Sequence, residues 1–352
     1  MYRLSLFLLL LLTPALHAQQ PAYPPSAEVR AAFLKLLERP KIPADPKTHA
    51  NALDPDGLLT EHLSIASEKK ADGKIERIPI LIVRPGMGGG KRPAVIVLHG
   101  TGGNKEGQKA LLVEFAKRGM VGVAIDARYH GERAGGQKGA AAYNQAIARA
   151  WQTKPGEPME HPFYYDTCWD LWRLVDYLQT RPEIDPKKIG MIGFSMGGIE
   201  TWLAASVDER VAVAVPAIGV QSFRWSLENE RWQGRANNIK LAHETAAKDL
   251  GEQNVNAKVC RALWSKVIPG ILDEFDCPSM IRLFAGRPLL ILNGEKDPNC
   301  PLEGAKLAFA EAEKAYGVTH ADKLKIIVAP VGHTVTKEQR EEAMKWFEKW
   351  LK

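Results

Sequence analysis

Gly193-Phe194-Ser195-Met196-Gly197, followed by Gly198, is the segment of this chain best suited to chemistry. It follows an apolar run, Lys188 to Ile192, and precedes a helical one. A serine on so tight a turn needs small neighbours, because side chains beside it would clash. The turn exposes Ser195 Oγ and aims the Met196 amide and a helix N-terminus at one point. A serine hydroxyl is a weak nucleophile and needs a base to take its proton.

Two later segments supply what is missing. Leu289 to Leu292 runs into Asn293-Gly294-Glu295-Lys296-Asp297-Pro298, and Asp297 stands where an acid is expected, with Glu295 as the rival. Leu324 to Val328 runs into Ala329-Pro330-Val331-Gly332-His333. His333 is expected as the base. His320, its rival, precedes the last strand and so belongs to the wrong end of a sheet. The order serine, acid, histidine suits a triad in which the acid orients the imidazole and stabilises its cation.

Leu98-His99-Gly100-Thr101-Gly102-Gly103 also follows an apolar strand. Its glycines let the backbone approach a substrate carbonyl. The Thr101 and Met196 amides are the expected oxyanion donors, each worth about 2.7–4 kcal/mol of barrier in a well-studied protease. His99, placed before the glycines, is expected to be structural. No G-K-[ST] follows, which argues against a phosphate loop.

The elements that must carry these residues alternate. A helix is expected around Ala27 to Glu38. Leu63 to Ser67 and Ile75 to Val83 suggest an antiparallel pair turning at Asp72-Gly73. Ala94 to Leu98, Val121 to Ile125 and Val211 to Ala217 are apolar strands. Leu171, Leu174, Val175 and Leu178 form one helix face. The last helix opens with Thr336-x-x-Gln339, a capping box, and is expected to bury Ala343, Phe347, Trp350 and Leu351. Apolar strands separated by helices predict an α/β class: a mostly parallel central sheet with helices on both faces and the site at the strands' carboxyl ends. Residues 221–286 interrupt the rhythm with helical character and Trp225, Trp232 and Trp264; a helical lid is expected there.

The sequence has 352 residues, 45% of them apolar and 25% charged, with a formal charge of +6. Its basic and acidic residues interleave, which argues against a nucleic-acid partner. Residues 1–18, with Arg3, a leucine-rich run and small residues up to Ala18, have the pattern of a secretory signal peptide, so a secreted or periplasmic location is expected, with no membrane association after cleavage. Residues 19–60 suggest an N-terminal arm with one helix, and 61–352 the catalytic domain. Four cysteines remain, and a disulfide using Cys277 is favoured over free thiols. Neither metal nor organic cofactor is called for; oligomeric state is open.

These motifs resemble the α/β-hydrolase superfamily over roughly residues 60–352. Asp126-Ala127-Arg128-Tyr129-His130-Gly131-Glu132 and Arg287-Pro288-Leu289-Leu290-Ile291 are similar to segments of its dienelactone-hydrolase-like, acetyl-xylan-esterase-like and prolyl-oligopeptidase-like branches. The resemblance implies the α/β-hydrolase fold and an acyl-enzyme mechanism. Dienelactone hydrolases proper often use cysteine where this chain has Ser195. The expected substrate is a small-molecule or carbohydrate carboxylic ester, with acetyl or other short acyl groups among the candidates. A serine peptidase stays open, although the arm is too short for a propeller. A polyesterase or lipase also stays open, with the insertion in a polymer's way. A non-catalytic scaffold would be expected to have lost Ser195, Asp297 or His333.

Overall fold

The computed structural model describes residues 23–352. The expected signal peptide, residues 1–18, lies outside the described residues. The chain opens with α1 (Ser26–Leu37), β1 (Lys47–Leu53), β2 (Leu58–Lys69), β3 (Ile75–Pro85) and β4 (Arg92–Leu98). It continues through α2 (Lys109–Lys117), β5 (Val121–Ile125), α3 (Ala141–Gln152), α4 (Tyr165–Leu178), β6 (Ile184–Phe194), α5 (Met196–Val207) and β7 (Val211–Ala217). Then come the helices α6 (Phe223–Glu228), α7 (Gln233–Asn238), α8 (Lys240–Asp249), α9 (Ala257–Val267) and α10 (Cys277–Ile281). β8 (Leu289–Gly294), α11 (Leu302–Tyr316), β9 (Leu324–Ala329) and α12 (Lys337–Leu351) complete it.

One 9-stranded sheet has the order β1-β2-β3-β5-β4-β6-β7-β8-β9. The first three strands are antiparallel, β3 pairs antiparallel with β5, and β4 to β9 run parallel. Strand β4 shows why its sequence is uniformly apolar. Ala94, Ile96 and Leu98 face a core shared with α1, α4 and α5, whereas Val95 and Val97 face a core shared with α2 and α12. A strand covered on both faces has no polar side to display.

Several expectations need correction. The stretch 19–60 holds a helix and also the strand β1, and β2 starts at Leu58, ahead of the expected boundary at 61. Strand β1 is exposed at every residue, so it joins the sheet through its backbone and leaves no apolar alternation to see. The favoured disulfide is not formed. Cys168, Cys260, Cys277 and Cys300 are buried free thiols on four different elements or loops. Nearness in sequence did not bring Cys260, Cys277 and Cys300 into a pair; the Cys300 thiol instead donates to Ile218 O at 3.1 Å. In α12, Ala343, Phe347 and Leu351 are buried as expected, but Trp350 is only half-buried, with the Lys349 ammonium 4.4 Å from its ring centre.

Candidate active site

Strand β6 ends at Phe194 and α5 begins at Met196, so a single residue makes the turn. That residue, Ser195, holds φ +56° and ψ −110°, a strained backbone for a side chain with a Cβ. The surroundings enforce it. Ser195 N donates to Ala217 O at 3.0 Å, and Ile199 N donates to Ser195 O at 3.0 Å. A Cβ on Gly193 would lie 2.1 Å from Gly197 O, and one on Gly197 would lie 2.6 Å from Leu98 Cβ. Only glycine fits at either place.

Two parallel strand ends deliver the partners. Glu295 N donates to Ala329 O at 2.8 Å and Lys296 N to Val331 O at 2.9 Å, which zips the loop after β8 to the loop after β9. Asp297 is 2% exposed. Its Oδ1 accepts from the amides of Asn299 (2.8 Å) and Cys300 (3.0 Å), leaving Oδ2 for His333 Nδ1 at 2.8 Å. His333 Nε2 lies 2.7 Å from Ser195 Oγ. Ser195, Asp297 and His333 are thus in one hydrogen-bonded line. Glu295 is exposed, and His320 precedes β9.

The loop after β4 runs beside the elbow. A Cβ on Gly100 would come within 3.4 Å of Phe194 O and 3.5 Å of Ser195 Cβ, so Thr101, the next residue, leaves from directly beside the serine. Gly103 N donates to Gly100 O at 2.9 Å, and Gly102 turns with φ +80° against Gly139 and Ala140. Met196 is the first residue of α5, and a first-turn amide has no acceptor within its own helix. His99 is buried. Its Nδ1 donates to Gly100 O at 2.8 Å and its Nε2 accepts from Ala127 N at 3.2 Å, so it braces this loop as expected.

The segment from Asp126 to Glu132 is also a brace. Asp126 Oδ1 accepts from Lys105 N at 2.8 Å, and Oδ2 accepts from Glu132 N at 3.0 Å. Arg128 is buried and forks onto Asp170, Nε to Oδ2 at 2.7 Å and Nη2 to Oδ1 at 2.9 Å, with Glu68 at 2.6 Å. His130 donates from Nδ1 to Arg128 O at 2.9 Å, and burial pushes its pKa down to about 3. Neither side chain joins the serine, acid and histidine.

The 221–286 insertion is helical. Its α8 and α9 pack on α3, while α10 packs on α5 and α11. Trp264 is core, donating from Nε1 to His243 Nε2 at 3.0 Å; Trp225 and Trp232 are half-buried. Helix α7 approaches the acid loop so closely that a Cβ on Gly234 would meet Pro298 O at 2.3 Å. The next residue, Arg235, is buried against the same loop and had no sequence signal.

Asp297, Cys300 and His333 present donor atoms within 4.8 Å of one another. They are already committed: Asp297 to His333, His333 to Ser195, and Cys300, with its thiol pushed up to about 12 by burial, to Ile218 O.

Comparison with known proteins supports this frame. The model of the dienelactone hydrolase family matches residues 78–250, which takes in Ser195 and stops short of Asp297 and His333. The YtaP protein of Bacillus subtilis (strain 168) is 27% identical over 290 residues, covering 78% of this chain and 84% of that one. Acetyl Xylan Esterase 1 from Thermoanaerobacterium sp. JW/SL YS485 superposes with a TM-score of 0.66 at 19% identity, covering 93% of this chain and 94% of that one. A glucuronoyl esterase from Solibacter usitatus gives 0.61 at 15% identity, with 92% of each chain covered. At these identities the structural likeness is one of fold.

Proposed function

We propose that this chain, which has the α/β-hydrolase fold and a dienelactone hydrolase family domain over residues 78–250, is a serine carboxylesterase. The observation that carries the reading is the unbroken line from Ser195 Oγ through His333 to Asp297, at 2.7 and 2.8 Å. In this reading His333 Nε2 takes the Ser195 proton as Oγ attacks the ester carbonyl. Asp297 Oδ2 holds Nδ1–H and stabilises the imidazolium. The Thr101 and Met196 amides receive the developing oxyanion. Collapse expels the alcohol, protonated by His333, and leaves an acyl-Ser195. Water, deprotonated by the same imidazole, then releases the acid.

Short acyl esters on carbohydrate are the favoured substrates, because solved structures of this fold with near-complete coverage include acetyl xylan and glucuronoyl esterases. Residues 1–18 would export the enzyme to such substrates; no helix among the described residues is long and apolar enough to cross a membrane. The test is a panel of p-nitrophenyl acetate, butyrate and octanoate, acetylated xylan and a peptide p-nitroanilide. Fast turnover of the short esters and of acetylated xylan is expected. Anilide cleavage faster than ester cleavage would replace the reading with a peptidase.

A further inference from the structure

Arg235 is a cation that the serine mechanism does not use. It lies on α7 in the helical insertion and is 2% exposed. Among the described residues no carboxylate forms an ion pair with it. Its Nη1 donates to Tyr164 Oη at 3.3 Å, and its Nη2 donates to Asn299 O at 3.2 Å and lies 3.4 Å from Cys300 Sγ. A charge buried without a charged partner is costly, so a compensating interaction has to exist nearby.

The compensation runs through one peptide. Asn299 O, which accepts from Arg235, and Cys300 N, which donates to Asp297 Oδ1 at 3.0 Å, belong to the same peptide unit. The cation therefore sits on the negative end of that peptide dipole and the carboxylate on its positive end. Gln221, set with its oxygen toward the guanidinium, adds an accepted bond from Nη2 at 3.1 Å and donates to Asn299 O at 2.9 Å. Burial works against the Arg235 charge, but its neighbours outweigh it, and of these the Asp297 carboxylate is the one ionised at neutral pH.

We propose that Arg235 is a positioning residue for the triad: through the Asn299–Cys300 peptide it fixes and polarises the amide that orients Asp297, and so couples the helical insertion to His333. Hydrogen bonds in series polarise one another, and an acid loop held from both sides leaves Asp297 Oδ2 one direction to face. The inference rests on the triad described above. It extends the line by one group, contributed by the insertion rather than by the sheet.

The test uses Arg235→Gln and Arg235→Lys in the full chain, with p-nitrophenyl acetate kinetics and the downfield proton resonance of His333 Nδ1–H. That resonance is read without substrate. Its outcome is therefore independent of whether esters are the substrate, which the Ser195→Ala control on turnover decides. Arg235→Gln should lower kcat by at least about tenfold with KM little changed, a small part of the about 10⁴-fold supplied by the acid in a well-studied protease. The Nδ1–H resonance should shift or broaden. Arg235→Lys keeps the charge but lacks the fork, and should fall between the two. A folded variant of either kind with wild-type kcat and an unmoved resonance would overturn the proposal. So would a raised KM at unchanged kcat, which would make Arg235 a substrate contact.

Discussion

Gln339 donates from Nε2 to Asn293 O at 3.0 Å, tying the first turn of α12 to the strand that leads to Asp297. The same nitrogen reaches Ile327 O at 3.0 Å on β9, the strand that leads to His333. Its Oε1 accepts from Thr336 N and its own amide donates to Thr336 Oγ1, completing the capping box. One side chain thus caps a helix and staples the acid strand to the base strand. Gln339→Ala should cost about 2–4 kcal/mol, since it removes a cap and strands buried carbonyls. Urea denaturation would read this, and a loss below about 0.5 kcal/mol would show that the staple is dispensable.

Arg128 and Asp170 lie at the centre of a buried network that also includes Arg133 and Glu68. Burial alone would raise the Asp170 pKa, but Arg128 and Arg133 outweigh it and hold the carboxyl well below its ordinary 3.8. The folded value is the lower one, so this stabilisation is present above about pH 4 and fades as pH falls further. Arg128→Met should destabilise by about 3–5 kcal/mol at pH 7, because it removes one partner of a buried pair. The gap to wild type should narrow in acid. A gap that stays constant down to pH 3 would contradict the assignment.

Glu200 behaves in the opposite way. It lies in α5, a helix buried on all sides, and no cation forms an ion pair with its carboxyl among the described residues. Burial pushes its pKa well above 4.5, with Asp170 adding to the rise and the Thr167 hydroxyl and Arg133 opposing it. The folded protein therefore keeps a proton that the unfolded chain gives up above about pH 4.5, and stability drains as pH rises through that window. Glu200→Gln removes the liability. Its melting temperature should exceed that of wild type at pH 8 by more than at pH 4.5. An advantage that shrinks with rising pH would refute this.

The four cysteines are buried free thiols. Burial pushes all four thiols up, Cys260 and Cys300 to about 12, so little reactive thiolate exists at neutral pH. Thiol titration with Ellman's reagent should find almost none in the native protein and four after denaturation without reductant. Two missing thiols would restore a disulfide.

What could be read from the sequence was local. Ala94 to Leu98 and Val121 to Ile125 are apolar because both their faces are covered, and each motif residue follows such a run at a short distance. Ser195, Asp297 and His333 could be placed in that way, because a strand end dictates where the next residues go. The rest depends on distant pairings. Asp170 answers Arg128 from another element, so which carboxylate pairs with the arginine was not visible in the sequence. Lys47 to Leu53 joins the sheet mainly by its backbone, is exposed at every residue and shows no apolar pattern. Arg235 resembles any surface helix cation until the fold buries it against Asn299. The second role of Gln339 was hidden behind its first, since the capping box alone explained its presence.

In the proposed mechanism Ser195 is acylated with His333 as its base. Pre-steady-state hydrolysis of p-nitrophenyl acetate, quenched and followed by peptide mass mapping, tests it most directly. A burst of nitrophenol is expected, with an acetyl group on the peptide bearing Ser195, and neither in Ser195→Ala. Undiminished turnover in Ser195→Ala, or acetyl on another residue, would contradict it.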